Sequence, residues 1–295
     1  MTRACPPQPG PIGSRLFLAA WWWRGLGQNG MASMSFDGMA NLYDETRIFD
    51  KACLDAALGY LVARFPPAEF RAVFEPGIGT GRIALPLAER GYHVTGGDIS
   101  AEMLRLLKVR LGKLEGPLPV SFLKADTTAL PFPDGAFDMA VAVHLFYFMR
   151  DWKRGVDEIL RVVKPAGPFI LMHTGTGAAI PFLNARYKGL CALEGYLIRD
   201  VGVKSTDEVA EYLEGLGCSI ERVEDRWKWT ARIRLDTALS HLKARAYTFP
   251  TAPPDAVHSR VIARLESELS DRFGSPSAEV NIPNELSLVV VARGA

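Results

Sequence analysis

Between residues 71 and 173 the chain alternates short apolar runs with longer segments of helical spacing, and this alternation constrains the fold most. The apolar runs have the length of strands and occupy residues 71–75, 92–98, 118–124, 137–143 and 169–173. The intervening helical segments are residues 82–90, 101–111 and 152–163. Strands that alternate with helices predict a parallel sheet with helices on both faces. We therefore predict an α/β fold whose ligands bind outside the carboxyl ends of the strands.

The pattern changes after residue 173, where helical segments replace the regular alternation. Residues 175–202 hold scattered aromatic and apolar side chains and predict a helical cap. Ser205 can cap the next helix, with Glu208 three residues later and Gly217 as a stop signal. The remaining segments predict a strand, two helices and a closing strand at residues 218–227, 235–247, 255–273 and 285–292. We expect the helices to line or cover the site.

A glycine-rich turn follows the first predicted strand, within residues 73–82 (VFEPGIGTGR). Its glycines, Gly77, Gly79 and Gly81, let a main chain pass close to a ligand because they carry no Cβ. Dinucleotide folds instead space these glycines as G-x-G-x-x-G against a pyrophosphate. Glu75 precedes the turn, and its carboxylate would repel a pyrophosphate. The turn therefore favours a ligand that carries an ammonium group and a sulfonium.

Two further acids end the next two predicted strands. Asp98 lies where an acid can accept hydrogen bonds from both ribose hydroxyls, and Asp126 lies where an acid can accept one from an adenine amine. Each acid also has a structural interpretation. Glu75 could be a solvated acid at a strand end, Asp98 an acid at a helix N-terminus, and Asp126 a turn former.

With these motifs the chain resembles the class I S-adenosylmethionine-dependent methyltransferases, and within them the ubiquinone/menaquinone biosynthesis (type 11) group. The resemblance covers residues 36–173, and the rest of the chain fits only in outline. Pro76, Ala166 and Tyr147 depart from the usual pattern of the group. The matching stretches are residues 75–81, 97–100 with Met103, 124–127, 130–132, 137–138 and 158–165, after a lead-in at 36–47.

The resemblance implies a Rossmann-like, doubly wound sheet of seven strands in the order 3-2-1-4-5-7-6, with the last strand antiparallel and with helical cap insertions. It also implies one methyltransferase domain at residues 34–295, with a core at 36–173 and the cap and C-terminal half of the sheet at 174–295. We interpret residues 1–33 as a non-homologous, disordered extension, with Met31 or Met34 as the native start. The alternative is a segment that packs on the cap or touches a membrane.

The resemblance further implies that S-adenosylmethionine is the co-substrate, and it assigns cofactor-binding roles by position. Glu75 and the three glycines of the turn would hold the methionine part, and Asp98 would hold the ribose. Ile99 and Met103 would contact the adenine face. The remaining expected contacts are Asp126 and Thr127 at the adenine edge and Tyr43 in the lead-in.

We expect methyl transfer by in-line displacement to a small-molecule acceptor that is apolar or aromatic. Such a reaction needs a general base only if the acceptor must lose a proton. His144, after the fourth strand, is the first candidate and Tyr147 the second, although a packed, hydrogen-bonded side chain is the favoured interpretation of His144. His173 and His241 are predicted to be structural. The alternative function is an inactive adenosyl-ligand-binding or regulatory protein with the same fold.

Composition limits the partners. The formal net charge of +1 gives no basic excess for nucleic acid, and the apolar residues 16–23 are too few to span a bilayer. The chain lacks the spacing of a metal site, so we expect no metal, and we expect a monomer or homodimer. The cysteines are irregularly spaced, which predicts reduced thiols in a cytoplasmic protein, at Cys5, Cys53, Cys191 and Cys218.

Overall fold

The computed structural model describes residues 37, 49–174, 181–245, 253–275 and 277–294. The chain divides into the units Met1–Met31 and Ala32–Ala295, and all described residues belong to the second. The predicted extension at residues 1–33, its alternatives and Tyr43 lie outside the described residues. The domain boundaries therefore stay predictions.

The helices and strands alternate along the described chain as the apolar pattern predicts. A short 3-10 turn, Phe146–Phe148, follows the fourth strand. The elements are α1 (Lys51–Arg64), β1 (Ala72–Pro76), α2 (Ala84–Glu89), β2 (His93–Asp98), α3 (Ala101–Leu111), β3 (Val120–Lys124), β4 (Met139–Val143), α4 (Trp152–Val162), β5 (Phe169–Thr174), α5 (Pro181–Leu193), α6 (Thr206–Gly215), β6 (Cys218–Arg234), α7 (Leu235–Lys243), α8 (Asp255–Phe273) and β7 (Glu279–Arg293).

Within the described residues, one seven-stranded sheet has the order β3-β2-β1-β4-β5-β7-β6. Strands β1 to β5 pair in parallel, whereas β7 runs antiparallel to both β5 and β6. This confirms the predicted order and the antiparallel last strand. The parallel register sets Glu75 beside Gly96 and Asp98 beside Lys124, so the carboxyl ends of the first three strands meet at one edge.

Two apolar layers cover the sheet, because successive side chains of a strand point to opposite faces. Ile170 and Met172 of β5 belong to the layer that contains α1, α2 and α3. Phe169 and Leu171 belong to the layer that contains α4 and α6. A third cluster joins α5, α7 and α8 to the far ends of β6 and β7.

The hairpin of β6 and β7 is longer than the sequence pattern predicts. Strand β6 continues to Arg234 and β7 begins at Glu279, and the two pair on both sides of an irregularity between Val223 and Trp227. Residues 227–234 (WKWTARIR) do alternate between apolar and exposed polar side chains, so the prediction ended the strand too early.

Two helices also differ from the prediction. Helix α7 ends at Lys243 rather than at residue 247, and helix α1 was not predicted.

The N-termini of α3 and α6 differ in their capping. Ser100 Oγ accepts a hydrogen bond from the Met103 N–H over 3.1 Å at the start of α3. The predicted cap at Ser205 is wrong, because its side chain makes no capping hydrogen bond. Glu208 instead accepts a hydrogen bond from the Lys204 N–H over 2.7 Å, one residue before the position that a capping box requires.

We predict that Gly167→Ala lowers the free energy of unfolding by roughly 1–3 kcal/mol. A Cβ at Gly167, in the turn before β5, would lie 2.3 Å from the Asp138 carbonyl oxygen and 2.7 Å from Val163 Cγ1. Gly59→Ala is the control, because a Cβ there meets nothing within 4 Å on an exposed face of α1. It should stabilise the helix by about 0.5–1 kcal/mol. Urea denaturation compares the two, and equal stabilities would contradict the prediction.

Candidate active site

A cavity of about 600 Å³, including its open mouth, lies at the carboxyl ends of β1 to β4. Most of the residues that the sequence predicts for the site line this cavity: Gly77, Gly79, Asp98, Ile99, Met103, Asp126, Thr127 and His144. The rest of the described wall was not predicted and is apolar: Ala125, Val143, Leu145, Phe148 and Met149. Ala125 lies after β3 within the matching stretch 124–127, whereas the other four lie at or just after the end of β4, where no motif marks them.

Three predicted residues lie elsewhere. Glu75 lies behind the cavity wall as part of buried strand β1. A Cβ at Gly81 would lie 2.5 Å from Leu107 Cδ1, so Gly81 allows the turn to pack against α3. Tyr147 lines a different cavity. Tyr43 lies outside the described residues.

The glycine turn adopts a backbone that glycine favours. Gly77, Gly79 and Gly81 have φ angles of 70°, 53° and 81°. These angles are in the left-handed region, where a Cβ introduces strain. A Cβ at Gly77 would also lie 2.8 Å from Leu145 Cδ1. The turn therefore requires glycine for its backbone and for the close approach of the cavity wall.

Asp98 is held by backbone N–H groups from both sides. Its Oδ2 accepts a hydrogen bond from Gly79 N over 2.9 Å, and its Oδ1 accepts one from Ser100 N over 2.8 Å. Burial raises the pKa of this carboxyl, the Ser100 and Gly79 N–H groups oppose that shift, and the charge of Asp37 adds to it. Each oxygen keeps acceptor capacity, so the fixed carboxylate can receive hydroxyl donors in the cavity.

Glu75 is a buried acid with an unused oxygen. Its residue is 3% exposed, and Oε2 has no hydrogen-bond partner among the described residues. Burial raises the pKa of the carboxyl well above its ordinary value, the Asp98 charge adds to the shift, and Arg82 and the Ala84 N–H oppose it. Because a cation would favour the charged form, this acid fits a ligand that carries an ammonium or sulfonium group.

Asp126 lines the cavity and also stabilises a turn. Its Oδ1 accepts hydrogen bonds from Thr128 N and Thr128 Oγ1, both over 2.9 Å, and the residue also lines the cavity. The neighbouring Thr127 is buried and lines the same wall. The turn role and the ligand role are therefore compatible, because the turn fixes the side chain beside the cavity.

His144 has a constrained backbone, and a hydrogen bond fixes its imidazole ring. Its φ of 50° lies in the left-handed region, which a non-glycine residue rarely adopts. The Nε2 atom accepts a hydrogen bond from the Thr174 N–H over 3.2 Å and lies 3.1 Å from Thr174 Oγ1. A backbone N–H can only donate, so the neutral ring carries its proton on Nδ1. Sequence reasoning gave no signal for Thr174.

A second, smaller cavity of about 250 Å³ adjoins the first, and His144 and Leu145 line both. Tyr147 lies here, with its hydroxyl 3.1 Å from Thr206 Oγ1. His173, which the sequence assigned a structural role, also lines this cavity. The cavity is bounded by the ends of β4 and β5, the 3-10 turn and the start of α6.

Two other features are absent from the described residues. They contain no group of three or more His, Cys, Asp or Glu that could hold a metal ion. None of the described helices is both long enough and apolar enough to cross a membrane.

Comparisons with known proteins agree with this geometry. A model of the methyltransferase domain family matches residues 74–171. The chain is 32% identical over 162 residues to the demethylmenaquinone methyltransferase of Clavibacter sepedonicus, which covers 54% of this chain and 63% of that protein. It is 32% identical over 197 residues to the enzyme of the same name from Beutenbergia cavernae, covering 61% of this chain and 72% of that protein. The chain thus spans less than two thirds of the first relative.

Among solved structures, the YcgJ protein of Bacillus subtilis is similar with a TM-score of 0.56. The match covers 82% of this chain and 100% of that chain, at 20% identity. At this identity the likeness concerns the fold alone.

We predict that Glu75→Gln stabilises the ligand-free protein as pH rises. A carboxyl whose pKa is raised on folding stabilises the fold fully below its ordinary value of 4.5 and loses that contribution as pH rises through the folded pKa. Glutamine resembles the neutral acid and keeps the contribution. Urea denaturation at a series of pH values should show the variant gaining on the wild type above pH 4.5.

The exposed Glu69 supplies the control, since Glu69→Gln should follow the wild type at every pH. A Glu75→Gln protein that is less stable than the wild type at pH 8 would contradict the prediction.

Proposed function

This chain belongs to the class I S-adenosylmethionine-dependent methyltransferases of the menaquinone and ubiquinone biosynthesis type, and we propose that it transfers a methyl group from S-adenosylmethionine to a small apolar or aromatic acceptor. The observation that carries the proposal is Glu75, whose Oε2 is buried without a partner behind a cavity walled by glycines. A cationic cofactor would compensate this acid, whereas a dinucleotide pyrophosphate would be repelled.

The described residues would hold the cofactor in the following way. Glu75 and the glycine turn would hold the methionine part, with Glu75 acting through its charge from behind the wall and Gly81 through the packing of the turn. Asp98 would accept hydrogen bonds from the ribose hydroxyls, because two backbone N–H groups already aim its carboxylate. The adenine would be enclosed by Ile99, Met103, Asp126 and Thr127, all of which line the cavity, and Tyr43 would add a further contact.

The cofactor supplies an electrophilic methyl group on a sulfonium, with a neutral leaving group. The protein's own contribution is then to orient both reactants and to exclude water. Orientation of this kind is worth ~7–11 kcal/mol of the barrier. The apolar wall formed by Val143, Leu145, Phe148 and Met149 supports such water exclusion beside the cofactor residues.

The same wall supports an apolar or aromatic acceptor. Among the described residues this wall carries no charged side chain after β4, and Phe148 presents a ring at the cavity. Two relatives named above are demethylmenaquinone methyltransferases. We therefore include demethylmenaquinone among the acceptors to be tested. We also propose that no metal takes part, that nucleic acid is not a partner, and that the protein works as a monomer or homodimer in the cytoplasm.

The proposed methyl transfer has no obligatory general base. The Nε2 lone pair of His144 is occupied by the Thr174 N–H, so this atom could take a proton only after that hydrogen bond breaks. Tyr147 is paired with Thr206 at the second cavity. Both remain the candidates for a base if the acceptor must lose a proton, and an acceptor that is already ionised would need neither.

We expect the purified protein to transfer radiolabelled methyl from S-adenosylmethionine to at least one member of a panel of hydroxylated aromatics. The panel includes demethylmenaquinone in its oxidised and reduced forms. Binding of S-adenosylhomocysteine without turnover on the panel would support the alternative, an inactive adenosyl-ligand-binding protein. Binding of a dinucleotide alone would contradict the proposal.

We predict that Asp98→Ala weakens the binding of S-adenosylhomocysteine by about 1.5–3 kcal/mol, since hydrogen bonds to a charged group are lost. Isothermal titration calorimetry should show a roughly ten- to hundredfold increase in Kd. Asp271→Ala, on an exposed position of α8, is the matched control and should bind as the wild type does. An unchanged affinity in Asp98→Ala would remove Asp98 from the cofactor site.

A further inference from the structure

The second cavity lies beside the proposed cofactor site and contains polar groups that the proposed function does not use. It shares His144 and Leu145 with the first cavity, so the two cavities meet at this segment after β4. Backbone hydrogen bonds hold its outer wall, because Gly202 N and Val203 N donate to the Tyr147 and Phe146 carbonyls over 3.2 Å each. The wall of the cavity is therefore held by backbone hydrogen bonds of the fold itself.

His173 is the unexplained polar group in this wall. It follows Leu171 on the face of β5 that packs towards α4 and α6. Its Nδ1 atom is buried and has no hydrogen-bond partner among the described residues. Leaving a buried nitrogen unpaired is costly, so an unpaired nitrogen in the wall of a cavity is a group that a polar ligand can stabilise.

The other polar groups of this cavity have partners within the fold. Tyr147 lies within hydrogen-bond distance of Thr206, and Nε2 of His144 is bonded to Thr174. The remaining walls are apolar, with Leu171, Met172 and Val209 among them. A ligand that enters this cavity would therefore find apolar contacts and one nitrogen that still requires a partner.

The charges around both cavities disfavour an anionic ligand. Neither cavity has a lysine or arginine in its wall within the part of the chain that the structure describes. Burial lowers the pKa of His173, which keeps the ring neutral, while Glu224, Asp207 and Glu285 oppose that shift. These three carboxylates would repel a carboxylate or phosphate held at His173.

The neutral ring selects a hydroxyl group in particular. A hydroxyl both donates and accepts hydrogen bonds, so it satisfies Nδ1 in either tautomer of His173. The cavity has less than half the volume of the first, about 250 Å³ against about 600 Å³. It therefore suits the polar edge of a ligand whose remaining atoms lie in the first cavity.

We propose that the second cavity is an acceptor subsite in which Nδ1 of His173 hydrogen-bonds a hydroxyl group of an uncharged aromatic acceptor. This inference rests on the proposed function, because the first cavity is taken as the cofactor site. It assigns acceptor binding to His173 and leaves His144 as a ring at the junction of the two cavities.

The test compares 2-naphthol with 2-naphthoate, which share a ring system and differ in charge. Each is titrated by calorimetry into the full-length protein, with and without saturating S-adenosylhomocysteine. The wild type should bind 2-naphthol at least tenfold more tightly than 2-naphthoate. His173→Phe should weaken 2-naphthol binding about three- to tenfold, the typical effect of one hydrogen bond, and leave S-adenosylhomocysteine affinity within about twofold.

Two further variants separate binding from packing. His173→Gln retains a side-chain amide and should recover part of the 2-naphthol affinity that His173→Phe loses. His93→Phe is the matched control, since His93 is an exposed histidine of β2 bonded to Arg71, and it should bind both probes as the wild type does. Far-ultraviolet circular dichroism verifies that each variant folds.

Nitrogen NMR gives a readout that a structural role would not move. The chain has 5 histidines, so ¹⁵N-histidine labelling gives few ring signals, and His173→Phe identifies one of them. The Nδ1 signal of His173 should shift on addition of 2-naphthol and not on addition of 2-naphthoate. The labelled wild-type protein is sufficient for this measurement.

Three results would overturn the subsite: equal binding of 2-naphthol by the wild type and His173→Phe, binding of 2-naphthoate as tight as that of 2-naphthol, or no binding of either probe with an unmoved His173 signal. These results leave the proposed function intact if S-adenosylhomocysteine still binds and methyl transfer proceeds. Loss of both adenosyl binding and methyl transfer in the wild type would reject the proposed function instead.

Discussion

The carboxylate of Asp98 joins the parts of the molecule on which the candidate site depends. Its oxygens accept hydrogen bonds from Gly79, in the turn after β1, and from Ser100, at the start of α3. The turn can lie this close to β2 because Gly96 has no side chain, and a Cβ there would be 2.2 Å from Ile78 Cδ1. One hydrogen-bonded acid at the end of β2 thus connects the glycine turn after β1 with the start of α3, beside the first cavity.

Around this frame the protein keeps features that oppose its own stability. Glu75 is buried with an unpaired oxygen, His173 has an unpaired ring nitrogen, and His144 has a backbone angle that non-glycine residues rarely adopt. Each lies in or directly behind the wall of a cavity. Strain and unpaired polar groups persist in folded proteins where the surrounding structure holds them and where a ligand compensates them. Their location is why we connect them with ligand binding.

Much of the fold could be predicted, and the errors have physical causes. The strand order was implied by the resemblance of residues 36–173, and β1 to β5 carry the continuous apolar runs of buried parallel strands. The β6–β7 hairpin was predicted too short because the irregularity between Val223 and Trp227 interrupts the apolar alternation, which resumes at residues 227–234 beyond the predicted end of the strand. The cap at Ser205 was wrong because Glu208 bonds Lys204 instead, a choice that depends on side-chain geometry.

The sequence by itself determined the glycine turn and the acids at the ends of β1, β2 and β3, because these features arise from local backbone requirements and from the position of each residue relative to its strand. Only the tertiary structure decided which residues close the site. The pairing of His144 with Thr174 spans 30 residues, and the cavity at His173 combines the ends of two strands with the start of α6. No local pattern encodes such contacts, because they exist only after distant segments have packed against one sheet.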